Sequence, residues 1–409
     1  MAEDLFVARQ PIYNEGLETV GYELLYRTGD TRTATIHDAD QASSRLIVTT
    51  FMEMGLESLV GSQRAYINLS RPFVTAQIPL PMSPEQVALE IGPELALDRR
   101  LLPHLRRLAE DGYRLVLDDF EYRPAYEPAL RLAGYVKLDA LRLHGPALRA
   151  NIARVRHHPL KIIAERVETR DAYRHCRDAG CDWFQGFFFC EPAVLRGRRL
   201  PAPQQALLGL LARLEDPESS AAQVETLLAQ DATLAFRLLR YVNCASLGLR
   251  VEVESLRHAV VLVGLATIRQ WTALILVARL GGHDARELLA TAMVRARMSQ
   301  LLAVRLSGVP AELRPEQAFT VGLLSVLDAL LERPMEDILD GLPLGYPLMA
   351  ALAAREGPLG ALLSLVADYD SGAWDRLPAD IDASELRRSY LEAVRWSEEQ
   401  RRNLEGLDL

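Results

Sequence analysis

A chain of 409 residues with a net charge of −9 has material for two or three domains, and it is too acidic overall to bind nucleic acid or an anionic membrane nonspecifically. The opening Met1-Ala2-Glu3-Asp4 lacks the basic and apolar regions of a signal peptide, and the most apolar later stretch, Ala259 to Ile268, is too short to span a bilayer. These features predict a cytoplasmic protein with no membrane partner and no direct nucleic-acid binding.

From Phe6 to about Pro192, strand-like runs alternate with helix-like ones, the pattern of βα units around a parallel sheet or barrel. The predicted strands are Leu5 to Ile12, Val20 to Tyr26, Arg64 to Leu69, Gln86 to Ile91, Arg114 to Phe120, Tyr135 to Asp139, Leu160 to Glu165 and Asp182 to Phe188. Ile47, Phe51 and Met54 share one helical face between them, as do Leu101, Leu105 and Leu108 before Gly112. Eight such strands suit a TIM-like α/β barrel, although periodicity alone leaves an open doubly wound sheet as the alternative.

Polar residues recur in or at the ends of these strands: Glu23, Asn68, Glu90, Asp118 with Asp119, Asp139, Glu165 and Gln185. The run Leu115-Val116-Leu117-Asp118-Asp119-Phe120 is the most pointed, because adjacent carboxylates repel unless a cation lies between them. Any one of these residues alone reads as a solvated strand end. In a barrel they converge on one face and offer oxygen ligands for one or two hard divalent cations beside Lys137, one of two lysines in the chain, the other being Lys161. Two metals and a lysine suit phosphodiester hydrolysis. Cys176, Cys181, Cys190 and Cys244 have neither zinc-site nor disulfide spacing and read as reduced thiols.

Over roughly its first 195 residues the sequence resembles the EAL family of cyclic-di-GMP phosphodiesterases. The matching motifs are Tyr22 to Arg27, Ile67-Asn68-Leu69-Ser70, Leu89-Glu90-Ile91, Asp118-Asp119-Phe120, Val136 to Asp139, Ala164-Glu165-Arg166-Val167-Glu168-Thr169 and Gln185-Gly186, with Ala8 to Ile12 also similar. The resemblance implies Mg or Mn bound by Glu23, Asn68, Glu90, Asp118, Asp119, Glu165 and Gln185. It further implies Lys137 near the attacking water, Glu165 and Glu168 in catalytic or supporting roles, and Arg27 on a substrate phosphate. Three departures from the family pattern stand out. Glu121 to Tyr126 replaces a glycine-rich loop, Pro93 replaces a bracing glutamate, and Arg166 replaces a glycine.

The segment Arg196 to Gln205 is basic and contains proline, and reads as a linker between a barrel domain at 1–195 and a helical domain at 206–409. Helical periodicity follows at Leu207 to Leu214, Leu227 to Leu238, Val260 to Leu280, Leu288 to Leu306 and Ala318 to Leu331, and in a polar terminal helix from about Ser384 to Asn403. This half resembles an HDOD domain, through Gln230-Asp231, Leu238 to Asn243, Ser255 to Val260, Val263-Gly264-Leu265 and Gly322-Leu323-Leu324. The resemblance implies a relative of HD phosphohydrolases without their metal ligands, since Ser325 and Val326 stand where the His-Asp pair would be, and no cofactor is expected there. His283-Asp284 follows Gly281-Gly282 and reads as a helix start.

Together these features predict an intracellular signalling protein whose EAL-like barrel retains metal ligands but is weakly active or inactive towards cyclic-di-GMP, with the HDOD domain as a regulatory or protein-interaction module. The alternative is an active Mg- or Mn-dependent phosphodiesterase under HDOD control. Partner identity and oligomeric state stay open.

Overall fold

The computed structural model describes residues 5–28, 56–77, 80, 82–186, 202–216, 219–243, 253, 255–281, 286–306, 313–340, 342, 344–378 and 381–405. The chain divides into two compact units, Met1–Glu191 and Pro192–Leu409.

The first unit is a closed barrel with strand order β1 to β8. Its strands are β1 (Leu5–Asn14), β2 (Thr19–Thr28), β3 (Arg64–Asn68), β4 (Val87–Ile91), β5 (Arg114–Leu117), β6 (Ala133–Asp139), β7 (Lys161–Glu165) and β8 (Trp183–Gln185). The longer helices outside it are α1 (Leu102–Glu110), α2 (Pro146–Val155) and α3 (Arg170–Ala179). Closure removes the doubly wound alternative. It also corrects the all-parallel reading, because β1 runs antiparallel to both β2 and β8. The physical reason lies in Glu15 to Glu18: a link this short can join only a hairpin, whereas a parallel crossover needs a dozen residues or more.

Side chains alternate across each strand, and the inward set fills the barrel in layers. Ile12, Tyr66, Ala88, Val116, Tyr135 and Ile163 form a buried cluster with Val20 and Trp183 packed on it. Tyr66 and Tyr135 meet edge to face at 5.8 Å, and the Lys161 ammonium lies 4.8 Å from the centre of the Trp183 ring. Space inside is limiting: a Cβ on Gly21 would come within 2.5 Å of the Tyr66 ring, so β2 passes this layer only as glycine. Ile47, Phe51 and Met54 lie outside the described residues, as do Cys190 and Cys244; Cys176 and Cys181 are buried free thiols.

The second unit is helical. Its helices are α4 (Ala202–Leu214), α5 (Ala221–Ala229), α6 (Ala232–Val242), α7 (Leu256–Val263), α8 (Leu265–Gly281), α9 (Arg286–Arg305), α10 (Pro315–Leu324), α11 (Leu327–Leu331), α12 (Met335–Leu339), α13 (Tyr346–Ala354), α14 (Gly357–Asp370) and α15 (Ala383–Glu405). Ala202 to Gln205, read as the end of a linker, lies in α4; positions 196–201 are outside the described residues. The single run expected from Val260 to Leu280 is two helices meeting at 119°, because Gly264 takes φ +86°. The run from Ala318 to Leu331 likewise breaks at Ser325 and Val326. Phe236, within the run of helical periodicity from Leu227 to Leu238, is 60% exposed. Helix α15 is less polar than its composition suggests, since Leu386, Tyr390, Ala393, Val394 and Ser397 share a buried face. Tyr346 to Asp370 is long and apolar enough to cross a membrane, yet it is two helices broken at Arg355 (φ +57°), with Leu359, Leu362, Leu363, Val366 and Tyr369 buried within the unit.

Candidate active site

Period two along each strand positions the site. Two residues beyond each inward core residue, towards the C-terminal mouth, comes a polar one: Glu23 after Gly21, Asn68 after Tyr66, Glu90 after Ala88, Asp118 after Val116, Lys137 after Tyr135, Glu165 after Ile163 and Gln185 after Trp183. Strand β1 runs the other way, so its mouth residue, Gln10, precedes Ile12. The apolar layer is thus the floor of a polar pocket.

Lys137 is fully buried and sits at the centre. Its Nζ donates to Glu23 Oε2 at 2.6 Å, lies 2.5 Å from Glu90 Oε1 and 4.0 Å from Asp118 Oδ1. Gln185 Nε2 donates to Glu23 Oε2 at 2.6 Å and to Gln10 Oε1 at 2.9 Å, while Asn68 Nδ2 donates to Glu23 Oε1 at 3.2 Å. Glu23 therefore has every oxygen held by a donor.

The other carboxylates do not. Glu90 Oε2, Asp118 Oδ1, Glu165 Oε1 and Gln185 Oε1 are buried and receive no hydrogen bond. Burial pushes Glu165 up to about 8, with repulsion from Asp118 adding to it. Burial raises Asp118 too, against the pull of Lys137, and it raises Glu90 further, with the Glu23 charge adding to the effect. Burial would also raise Glu23, but the Lys137 charge and the hydrogen bonds from Lys137, Gln185 and Asn68 bring it below the usual carboxylate value. Lys137 is held above the usual ammonium value, because its carboxylate neighbours outweigh its own desolvation. One ammonium cannot balance all of these buried groups as carboxylates, so a proton or a cation must make up the difference, and the unpartnered atoms are all oxygen. Such a donor set fits a hard divalent cation better than a softer one. Asp119, Asp139 and Glu165 also bring carboxylate oxygens within 4.8 Å of one another.

Asp119 is exposed at φ +45°, a conformation Asp tolerates. Glu168 is exposed and stands apart from the hydrogen-bonded cluster among the described residues. Arg27 lies on β2, and its side chain is outside what the structure describes. One residue beyond the expected set, Gln10, belongs to the pocket. Gln10 is hidden in the sequence by the reversed direction of β1 and is placed by its pairing with Glu23 in the folded hairpin. Asp139, expected among the strand-end oxygens that converge on one face, lies in the pocket with Asp119 and Glu165. Its Oδ1 accepts from Leu141 N and Arg142 N, and its Oδ2 lies 3.2 Å from Arg166 Nη1.

Arg166 takes φ +55°, the left-handed region that a glycine occupies without strain. The segment Glu121 to Tyr126 is organised by packing rather than by glycine turns. Phe120 and Tyr126 are buried with ring centres 4.9 Å apart, Phe120 N donates to Lys137 O, and Tyr122 N donates to Asn151 Oδ1 on α2. Pro93 opens a helical turn, Pro93–Ala96.

In the helical unit, Asp231 caps α6 by accepting from Leu234 N and pairs with Arg279 at 2.7 Å. Asn243 clamps the backbone of Val253 through both its amide atoms. Ser325 Oγ donates to Gly322 O, Val326 is buried, and Arg295 pairs with Asp370 at 3.1 Å. His283 and Asp284 lie outside the described residues.

Residues 69–192 match the EAL domain family and residues 200–331 the HDOD domain family. The cyclic di-GMP phosphodiesterase CdgJ of Vibrio cholerae is 34% identical over 404 residues, covering 96% of this chain and 92% of the relative. The uncharacterized protein YuxH of Bacillus subtilis is 30% identical, covering 96% and 98%. Among solved structures, the PaMucR phosphodiesterase in its c-di-GMP complex aligns with 49% of this chain and 99% of its own at 23% identity and a TM-score of 0.35. The fold is that of an EAL-type barrel joined in sequence to an HDOD-type helical domain. The chain belongs to the EAL–HDOD family of proteins related to cyclic di-GMP phosphodiesterase CdgJ.

Proposed function

We propose that the barrel is a slow, divalent-metal-dependent phosphodiesterase acting on cyclic-di-GMP, and that the helical domain is its regulatory and protein-interaction module in the cytoplasm. The observation that carries this reading is the set of buried oxygens without donors, on Glu90, Asp118, Glu165 and Gln185, gathered around an ion-paired Lys137. The name of the Vibrio cholerae relative supports the same substrate. Glu23, Asn68, Glu90, Asp118, Asp119, Glu165 and Gln185 would hold Mg or Mn. When bound, the metal supplies an activated water and neutralises phosphate charge.

The protein's own groups do the rest. Lys137, fixed by Glu23 and Glu90, keeps its proton and presents a cation to the water or a phosphate oxygen. Arg27 would meet a substrate phosphate from β2, and Glu168 would act from outside the cluster. Arg166, paired with Asp139 beside Glu165, supports the slow rate, because its side chain stands where the family pattern has none. A second reading, a cyclic-di-GMP receptor without turnover, is favoured by the same ion pair and by the glycine-free segment 121–126. The test is hydrolysis of cyclic-di-GMP to the linear dinucleotide with Mn, run beside a binding titration. Binding with no product even in Arg166→Gly establishes the receptor reading.

A further inference from the structure

Away from the pocket, Glu127, His157 and His158 bring one carboxylate oxygen and two imidazole nitrogens within 4.8 Å of one another. Glu127 opens the helical turn Glu127–Leu130, and the histidines follow the C-terminal end of α2. We propose that these three residues form a binding site for a borderline divalent transition metal, zinc being the best match.

Three observations carry it. The His158 side chain is only 9% exposed, yet its Nε2 has no hydrogen-bond partner. An imidazole nitrogen buried this way costs free energy unless something satisfies it. The separation from Glu127 Oε2 is 3.5 Å. A simple charge-assisted hydrogen bond would close to about 2.8 Å, whereas two ligands on one tetrahedral zinc, each about 2.1 Å from it, stand about 3.4 Å apart. The second carboxylate oxygen is already used: Tyr122 Oη donates to Glu127 Oε1 at 3.1 Å, which orients the carboxylate in the way outer-shell partners orient metal ligands.

The two imidazole rings lie 4.4 Å apart at 38°, so His157 stands beside His158 and can complete the set. His157 is exposed, which leaves a fourth position open to water. Two imidazoles and one carboxylate select zinc, cobalt or nickel over the hard cations suited to the barrel pocket. A metal here would tie Tyr122, in the segment after the Asp118-Asp119 pair, to the end of α2 through Glu127.

The full-length, metal-stripped chain, with excess Mg to fill the hard-oxygen pocket, is titrated with Co as a coloured substitute and then with Zn. One equivalent of Co should give the visible absorption of a four- or five-coordinate site, and Zn should displace it. His157→Ala, at an exposed position, and Glu127→Gln should each weaken Zn binding by more than about tenfold without changing the far-UV circular dichroism. Asp118→Asn should leave it unchanged. An absent band, equal Zn affinity in wild type and both ligand variants, or a band lost in Asp118→Asn but kept in His157→Ala overturns the proposal.

Discussion

Lys137 pairs with the buried Glu23 and Glu90 and lies 4.0 Å from Asp118, and removing one partner of a buried ion pair leaves the others uncompensated. Lys137→Met should destabilise the metal-free protein by roughly 3–5 kcal/mol in urea unfolding and abolish turnover. Glu165 supplies a pH dependence. Its folded value of about 8 lies above the ordinary 4.5, so between these values the folded state holds a proton that the unfolded state has released. Stability therefore falls as pH rises through that window. The melting temperature of the metal-free chain should drop from pH 5 to pH 8, and saturating Mn should remove most of the drop. At Arg166, glycine relieves a left-handed residue and clears the Asp139 ion pair. Arg166→Gly should raise turnover by about tenfold, read as kcat with Mn, and should not lower the melting temperature.

At the scale of elements, glycine in β2 answers to the ring of Tyr66 in β3. Gly21→Ala should cost about 1–3 kcal/mol in urea unfolding through overpacking. The strands themselves were legible because short runs of Val, Leu and Ile ended in polar residues, and the period-two rule then aims Glu90, Asp118 and Glu165 the same way. What the residues did not reveal was direction. Ala8 to Ile12 reads the same in either sense, so the antiparallel β1 and the role of Gln10 came only with the pairing to Glu23. The left-handed backbone at Arg166 was likewise invisible, since nothing in a long basic side chain signals positive φ. The helix breaks at Gly264 and Ser325 do not show in the sequence because apolar periodicity runs on through both, and a bend changes which face is buried without changing the pattern.

For the whole molecule, the chain divides between Glu191 and Pro192 into two compact units. If the halves fold independently, calorimetry should resolve two transitions, with Mn raising the one assigned to 1–195 and leaving that of 206–409 unmoved. The altered segment 121–126 and Arg166 argued from sequence for a barrel with little or no activity; the converging ligand set around Lys137 argues for a site that still turns over, slowly. The measurement that decides most directly is Mn-dependent hydrolysis of cyclic-di-GMP by the full-length chain, beside Glu23→Gln and Lys137→Ala. The account predicts slow production of the linear dinucleotide, lost in both variants and faster in Arg166→Gly. Product formation that is independent of metal, or undiminished in Lys137→Ala, would contradict it.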